Sequence, residues 1–406
     1  MLTKPRFYVI LYSNSALINK GDNIMEILLR SSWQTVNIGD ISHTPALLAL
    51  IEKHIPEATV TVWATEGITK EVLEMEHKRF PNVTFVTGDD SNPDILAAID
   101  RADFFLHGSG PYMAGANELK QFLKHSDKPY GIFGITYRDD PVENELLNGA
   151  EFAYFRDSKS LEIAKNNGIH AKVMQFGPDA AFAIDLSNDE KADKFLAEND
   201  LKEGEFLCCI PRLRWTPYWE LRDVPFNAER DAKNKEKVEQ DHVYLRKAIT
   251  DIIEKTDKKV LICPEDMTQM KVGKEAIYDK LPESVLSRVV LKKDYWLTDE
   301  AVSVYKKSLG LFGNEMHSPI MCIGNNVPAI VCRWEEQTTK GFMWNDIGLG
   351  DWLFDSDKGI DAQQFSDTVL TFVNNRAEVL AKTKKAKDYV DMLFADMMKR
   401  VKELIS

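Results

Sequence analysis

Residues 308–332 read SLGLFGNEMHSPIMCIGNNVPAIVC, and this stretch decides the fold. One apolar run ends at Gly313, a short loop and the start of a helix follow, and a second apolar run begins at Val327. The pattern predicts a loop at the carboxyl end of a parallel strand, where open α/β sheets bind their ligands. His317 lies in this loop, and an imidazole exchanges protons near neutral pH. The alternative is that His317 only caps the helix.

Length and composition narrow the class of protein. A chain of 406 residues exceeds the usual size of one core, so two domains are expected. The formal net charge of −13 disfavours a nucleic-acid partner, although a few arginines can still form a local anion pocket. The cysteines lie in or beside apolar runs without a C-x-x-C pair, which predicts buried thiols. No signal peptide or membrane span is recognisable, so we expect a soluble, cytoplasmic protein.

Segments typical of strands and helices alternate along the whole chain. In the first half we predict strands at 7–12, 59–64, 83–87, 104–107, 130–135, 152–156 and 171–176, with helices at 44–54, 69–80, 94–101, 117–125 and 158–167. In the second half we predict strands at 205–210, 259–263, 289–291 and on both sides of His317, with helices at 242–255, 274–281, 365–376 and 377–405. This rhythm predicts an α/β protein with parallel, doubly wound sheets.

The alternation of strands and helices is interrupted once, after residue 186, and then resumes. We therefore expect two Rossmann-like domains, 1–186 and 187–380, in a glycosyltransferase-B-like arrangement with the active site in the cleft between them. A final helix, 381–406, is expected to pack back on the first domain.

Two segments do not fit the alternation of strands and helices. Residues 13–34 are interpreted as a long connection, a flap with a short helix at 24–30. The charged segment 227–240 is interpreted as a solvated loop or mobile lid.

Two candidate groups in the first domain lie where a strand ends or a helix begins. Asn37, Gly39 and Asp40 precede a predicted helix, where backbone can approach a ligand and polar side chains can bond sugar hydroxyls. The alternative is a turn with a helix cap. His107 and Gly108 end a strand and either admit a ligand or form a tight turn.

Three arginines at strand ends are further candidates. In the first domain, Arg156 can reach the cleft or pair with Asp157 or Asp179, and structural pairing is favoured. In the second domain, Arg212 and Arg214 follow a strand and suit a carboxylate or phosphate. The alternative is surface charge beside a tryptophan.

Near the start of the helix after the decisive loop, His317 can act as a general acid. Lys340 can steady a developing anion, or it can be an ordinary solvated lysine.

Together these motifs resemble the polysaccharide pyruvyl transferase family. The matching residues are Asn37-Ile38-Gly39-Asp40, the glycine-rich strand end 107–110, Arg156-Asp157 with Ser160, Gly168 and Pro178-Asp179, and finally His317, Val327-Pro328, Lys340 and Ile347-Gly348-Leu349. The resemblance spans roughly residues 37–352. It implies a glycosyltransferase-B-like fold and a bacterial enzyme of exopolysaccharide biosynthesis that moves a pyruvyl group from phosphoenolpyruvate to a sugar.

The resemblance also implies roles for the candidates. His317 would protonate the methylene carbon of the donor. The donor's carboxylate and phosphate would lie among Arg212, Arg214, Lys340, Glu315 and Ser318. The acceptor, a sugar or lipid-linked glycan, would face Asn37, Gly39, Asp40, His107, Gly108 and Arg156. Peripheral membrane association is compatible with such an acceptor. Neither a metal nor another cofactor is expected.

One departure from the family pattern leaves alternatives open. The family usually has arginine two residues before the histidine, and this chain has Glu315. A carboxylate there repels an anionic donor unless a cation offsets it, and Arg333 and Arg214 are candidates for that role. A nucleotide-sugar glycosyltransferase is the first alternative, with Glu265, Glu315 and Trp296 as contacts. A non-catalytic relative that binds glycan is the second.

Overall fold

The computed structural model describes residues 25–31 and 35–405, in which two parallel sheets form the framework. The first sheet has the strand order β3-β2-β1-β4-β5-β6-β7, and every neighbouring pair is parallel. Its strands are β1 (Glu26–Arg30), β2 (Thr59–Ala64), β3 (Thr84–Thr87), β4 (Phe104–His107), β5 (Tyr130–Ile135), β6 (Phe152–Phe155) and β7 (Met174–Phe176).

The second sheet has the order β10-β9-β8-β11-β12-β13 and is also parallel. Its strands are β8 (Phe206–Ile210), β9 (Lys259–Ile262), β10 (Val289–Leu291), β11 (Leu311–Gly313), β12 (Ala329–Arg333) and β13 (Leu353–Asp355). The central strands are apolar throughout, as expected for strands covered by helices on both faces.

Helices connect the strands and cover both sheets. They are α1 (Ile38–His54), α2 (Lys70–Arg79), α3 (Pro93–Arg101), α4 (Ala116–His125), α5 (Pro141–Gly149), α6 (Ser158–Asn166), α7 (Asp189–Glu198), α8 (Ala228–Lys237), α9 (Val243–Lys255), α10 (Gln269–Val272), α11 (Glu283–Leu286), α12 (Thr298–Lys306), α13 (His317–Gly324), α14 (Met343–Asp346), α15 (Ala362–Asn374) and α16 (Arg376–Ile405). Within the described part of the chain, none of them has both the length and the apolar character needed to cross a bilayer.

The predicted fold class, two Rossmann-like units with parallel sheets, is confirmed. The predicted helix at 24–30 is wrong, because Glu26–Arg30 forms β1 in the interior of the first sheet. Its apolar residues have no exposed surface and pair on both sides, and such a short continuous run cannot be told from a helix by periodicity. The strand predicted at 7–12 lies outside the described residues, as does most of the segment 13–34.

The loop predicted at 227–240 is also wrong, although the segment is largely exposed as expected and its role as a mobile lid stays a prediction. This segment forms α8, whose N-terminus is capped by the side chain of Asn227. Asn234 is 3% exposed and exchanges two hydrogen bonds with the backbone of Trp215. One buried amide therefore anchors a helix whose other residues are mostly polar, and a charge count does not reveal such an anchor.

The last helix, α16, packs against the first sheet. Phe394 stacks on Phe133 of β5 with the ring centroids 6.1 Å apart. Both rings are completely or almost completely buried. The division of the chain at 186/187 and 380/381 stays a prediction.

The order of strands positions the functional residues. In the first sheet the direction of the strand order reverses between β1 and β4, and in the second sheet between β8 and β11. Ligands bind at such switch points, outside the carboxyl ends of the strands. Asn37 and His107 lie at the first switch point, and Arg212 and His317 lie at the second.

The two switch points face each other. The backbone N–H of Ile38 donates to the carbonyl of Glu265 at 2.9 Å, and that of Met267 donates to the carbonyl of Val36 at 3.1 Å. The hydroxyl of Thr298 adds a bond to the carbonyl of Ile38 at 2.9 Å. The two sheets are thus joined directly at the place where their ligand-binding edges meet.

Candidate active site

The N-terminal turns of two helices meet in the cleft. Asn37 caps α1, since its Oδ1 accepts hydrogen bonds from the backbone of Gly39 at 2.8 Å and of Asp40 at 3.1 Å. A Cβ atom on Gly39 would overlap the side chain of His317, the first residue of α13. Glycine is therefore required for this approach, and both helix N-termini, with their partial positive charge, point at one small volume.

His317 is the side chain at the centre of this contact, and it is 4% exposed. Its Nδ1 lies 3.3 Å from Glu265 Oε1 and 3.9 Å from Asp40 Oδ1. Its Nε2 has no hydrogen-bond partner among the residues that the structure describes. Burial, followed by the positive charge of Lys340, lowers the pKa of His317 to about 3. The imidazole is consequently neutral at neutral pH in this state of the protein.

Glu265 supplies the cap of α13. Its Oε2 accepts a hydrogen bond from the backbone N–H of Ser318 at 2.6 Å, and burial raises its pKa. The hydroxyl of Ser318 accepts a hydrogen bond from Tyr305 at 3.2 Å. Ser318 is a predicted contact of the donor substrate, but its backbone N–H and its hydroxyl are each already hydrogen-bonded within the protein.

A second imidazole, that of His43, lies beside His317 with ring centroids 5.0 Å apart and the rings nearly perpendicular. Its Nε2 lies 3.3 Å from Asp179 Oδ1. Asp179 also forms an ion pair of 2.8 Å with Arg156, one of the two structural partners expected for that arginine. Burial alone would raise the pKa of Asp179, but His43 and Arg156 outweigh it and hold this pKa below its usual range.

His43 was missed by the sequence analysis. It lies one turn into a helix that is buried on nearly every side, and a histidine in an apolar helix resembles any satisfied core residue. Two features of the sequence are relevant to it: Asp40, three residues earlier, and the separate Pro178-Asp179 motif. Neither feature shows that His43 and Asp179 are partners.

Arg212 and Glu315 form the charged wall of the site. Their ion pair measures 2.6 Å, and Gln269 donates to the other Glu315 oxygen at 2.6 Å. Burial raises the pKa of Glu315 even though Arg212 opposes the change. Lys340 lies nearby, and burial, followed by the charge of Arg212, lowers its pKa to about 8. Glu315 therefore already meets the cation expected to offset it, although Arg214 and Arg333 were the candidates for that role.

Arg214 is engaged by carboxylates of the protein. Its Nε and Nη2 donate to Asp241, and its Nη1 donates to Glu336 and Asp357. Three carboxylates thus hold the guanidinium of Arg214, and its expected convergence with Arg212 on one anion stays a prediction.

The strand-end loop at His107 is engaged internally. The backbone N–H of Gly115 donates to His107 Nε2 at 2.9 Å, so the ring proton lies on Nδ1 and is donated to the carbonyl of Gly108 at 2.7 Å. A Cβ on Gly108 would overlap Ser31 at the end of β1. Both residues form the turn that was the alternative interpretation, and their contact with an acceptor stays a prediction.

One set of side chains in residues 25–31 and 35–405 has the arrangement of possible metal ligands. His43, Asp179 and His317 each offer one ligand atom, and these atoms all lie within 4.8 Å of one another. All three side chains are buried.

The contact at Gly39 can be tested by substitution. Ala replacing Gly within a helix normally stabilises it, whereas Gly39→Ala should lower the free energy of unfolding by about 1–3 kcal/mol because the methyl group overlaps His317. Urea unfolding measures the change. The control is Gly67→Ala, where a Cβ meets nothing within 4 Å. Equal effects of the two substitutions would contradict the close approach.

The neutral His107 predicts a loss of stability in acid. Burial lowers its pKa to about 3, whereas an unfolded histidine titrates near about 6.5. Between these values the unfolded chain binds more protons, so stability falls as the pH falls. His107→Gln keeps an acceptor for Gly115 and does not titrate. It should lose up to about 3 kcal/mol less than wild type between pH 7 and pH 4 in urea unfolding.

The control for this pH series is His170→Gln, since His170 is exposed. It should follow wild type across the whole range. A His107→Gln profile that runs parallel to wild type would show that protonation of His107 is not linked to unfolding.

Comparison with known structures agrees with the fold. The chain resembles a putative UDP-N-acetylglucosamine 2-epimerase from Listeria monocytogenes (TM-score 0.57, 15% identity, covering 92% of this chain and 94% of the other). It also resembles HepE from Anabaena in complex with UDP (0.55, 11%, 93% and 99%). A third similar structure is UDP-GlcNAc 2-epimerase from Neisseria meningitidis bound to UDP-GlcNAc (0.56, 11%, 93% and 100%). At these identities the likeness concerns the fold.

Sequence comparison identifies the family. No curated protein matched. The profile of the polysaccharide pyruvyl transferases matches residues 37–336, which is most of the chain. The match includes the Asn37 cap, the Arg156–Asp179 pair, Arg212 and His317. The chain therefore belongs to the polysaccharide pyruvyl transferase family.

Proposed function

We propose that the cleft transfers the pyruvyl group of phosphoenolpyruvate to a sugar in a cell-surface polysaccharide precursor. Family membership and the enzymes of similar fold support a polysaccharide-modifying transferase. The observation that carries the proposal is the meeting of His317, Arg212 and Lys340 at two opposed helix N-termini. Such a site attracts a small anion with two negatively charged groups.

In the proposed reaction His317 donates a proton to the methylene carbon of the donor. The neighbouring carbon becomes electrophilic and forms a bond to one acceptor hydroxyl, which releases its proton. Phosphate then leaves with the electrons of its C–O bond and takes up that proton. A second hydroxyl adds to the same carbon and gives its proton back to His317, which completes the ketal and restores the acid. Arg212 and Lys340 would neutralise the carboxylate and phosphate while charge develops.

The low pKa of His317 sets a condition on this reaction. The free site holds a neutral ring, and a neutral ring cannot donate the proton that the donor needs. The donor's negative charges would offset Lys340, which is the main electrostatic cause of the low pKa after burial. Proton uptake by His317 would thus accompany donor binding.

The burial of the site implies a separation of the two sheets during the cycle. His317 and Glu315 are almost completely buried, and the Ser160 and Thr339 hydroxyls bond across the cleft at 2.9 Å. Substrates can reach His317 only when such contacts break. We therefore propose that the described state is closed, and that donor and acceptor bind to a more open one.

For the acceptor we propose the first-domain side of the cleft. Asp40 is 7% exposed and lies beside His317. Asn37 and Gly39 belong to the same helix start, while Arg156 reaches the site through Asp179. A lipid-linked glycan, peripheral membrane association and a cytoplasmic location belong to this proposal as well.

A nucleotide-sugar donor is the competing function, and the likeness to structures that hold UDP or UDP-GlcNAc favours it. The contacts expected for a nucleotide argue against it. Trp296 is 2% exposed and donates its ring N–H to the carbonyl of Pro264, so it offers no face for a base. Glu265 is occupied by the cap of α13.

Donor binding by purified protein tests the proposal. Phosphoenolpyruvate should raise the melting temperature, whereas UDP and GDP should not.

Arg212→Met should weaken phosphoenolpyruvate binding by on the order of 10–100-fold, because a charge-assisted contact is lost. Glu315→Gln should strengthen it by about tenfold, because Arg212 is released from its ion pair. His317→Gln should keep binding and lower phosphate release by about 100-fold or more.

The control is Lys293→Met, which removes a positive charge from an exposed position. Stabilisation by UDP without stabilisation by phosphoenolpyruvate would replace this proposal with the nucleotide-sugar function. Stabilisation by neither would favour the non-catalytic relative.

A further inference from the structure

We propose that His43, Asp179 and His317 form a transition-metal site that bridges the two sheets. His43 comes from α1 and Asp179 from the loop after β7, both in the first half of the chain, whereas His317 begins α13 in the second half. Two imidazoles and one carboxylate form a typical three-ligand set for zinc, which leaves one position open. The harder cations Mg²⁺ and Ca²⁺ prefer oxygen ligands, so zinc or cobalt is expected.

The geometry already approaches that of coordination. The three ligand atoms lie within 4.8 Å of one another. His43 Nε2 and Asp179 Oδ1 are 3.3 Å apart but are not aligned for a hydrogen bond. Two ligands about 2.0–2.1 Å from a tetrahedral zinc are themselves about 3.3 Å apart. Only a small movement of His317 would close the set.

Imidazole nitrogens without partners form the second observation. Neither ring nitrogen of His43 has a hydrogen-bond partner in the described part of the chain, and the same holds for His317 Nε2. Both side chains are at least nine-tenths buried. Buried polar atoms in folded proteins nearly always have a partner, and a bound ion can take that place where the protein supplies none.

The outer contacts also fit a metal site. Ligating groups are usually oriented by a further hydrogen bond on the side away from the metal. Arg156 binds Asp179 through Oδ2, while Oδ1 accepts one hydrogen bond from the backbone N–H of Ala181 at 3.0 Å and keeps a second lone pair for the metal. Glu265 lies against Nδ1 of His317, which leaves the lone pair of Nε2 for the metal.

Nearby charges of both signs influence the affinity of this site for a metal cation. Lys340 and Arg156 oppose a second cation, while Asp40, Glu265 and Glu315 favour it. A bound metal would hold α1 against α13 and would occupy the nitrogen of His317. If the proposed function is correct, zinc therefore inhibits transfer by locking the closed state and removing the acid.

Cobalt titration tests the site without any substrate. Protein freed of metal with a chelator is titrated with Co²⁺, whose tetrahedral complexes absorb strongly in the visible range, and Zn²⁺ is then added as a competitor. One equivalent should bind to wild type and raise the melting temperature. His43→Ala should weaken binding by on the order of 100-fold, and Glu265→Gln by about tenfold as an outer partner. The control His170→Ala should bind like wild type.

His43→Phe, which keeps the ring volume, serves as a second variant if His43→Ala does not fold. Absence of stoichiometric cobalt binding, or equal binding by the folded His43 variant, would overturn the site. The proposed function is judged separately by phosphoenolpyruvate binding to metal-free protein. Failure of that binding with intact cobalt binding removes only the inhibitory consequence.

Discussion

The structure depends on one contact, that between the first turn of α1 and the first turn of α13. The two helices can approach this closely because residue 39 has no side chain, so His317 packs on the backbone of Gly39. The contact brings together the switch points of both sheets, β1/β4 and β8/β11. It also aligns two helix N-termini, whose dipoles favour negative charge and whose first N–H groups are capped within the protein by Asn37 and Glu265.

The cleft balances buried charges in pairs. Arg212 binds Glu315, and Arg156 binds Asp179. Removing one member of such a pair is costly, because the other stays buried without compensation. The cost of burying the Glu315 carboxylate is offset by Arg212. These charges are therefore neutralised within the protein, and in the proposed function a ligand would have to replace one of these partners.

Much of the fold follows from the sequence, because helices and strands with a clear period can be recognised from their local pattern. The strand at Thr59–Ala64, in which threonine and valine alternate, and the helix at Val243–Lys255 are examples. The sequence pattern predicts a helix at β1 and a loop at α8, and these two errors have different causes. β1 is buried on both faces and has no alternation, whereas α8 is held by a single buried asparagine. Neither cause is visible in a local pattern.

The site was predictable only in part. Strand ends indicated Asn37, Arg212 and His317, because parallel sheets expose their carboxyl ends to ligands. The fate of Arg214 depended on three carboxylates from distant parts of the chain. The place of His43 in the site likewise depends on its contact with Asp179, which lies more than 100 residues later in the sequence. Partnerships between distant residues are set by packing, which a single sequence does not reveal.

The central claim is that a small anionic donor binds between the two helix starts. A crystal structure of the protein with phosphoenolpyruvate tests this most directly. We expect the donor's carboxylate and phosphate within hydrogen-bond distance of Arg212 and Lys340, with its methylene carbon facing Nε2 of His317. An Arg212 still paired with Glu315 and a donor bound elsewhere, or absent at saturating concentration, would contradict the claim.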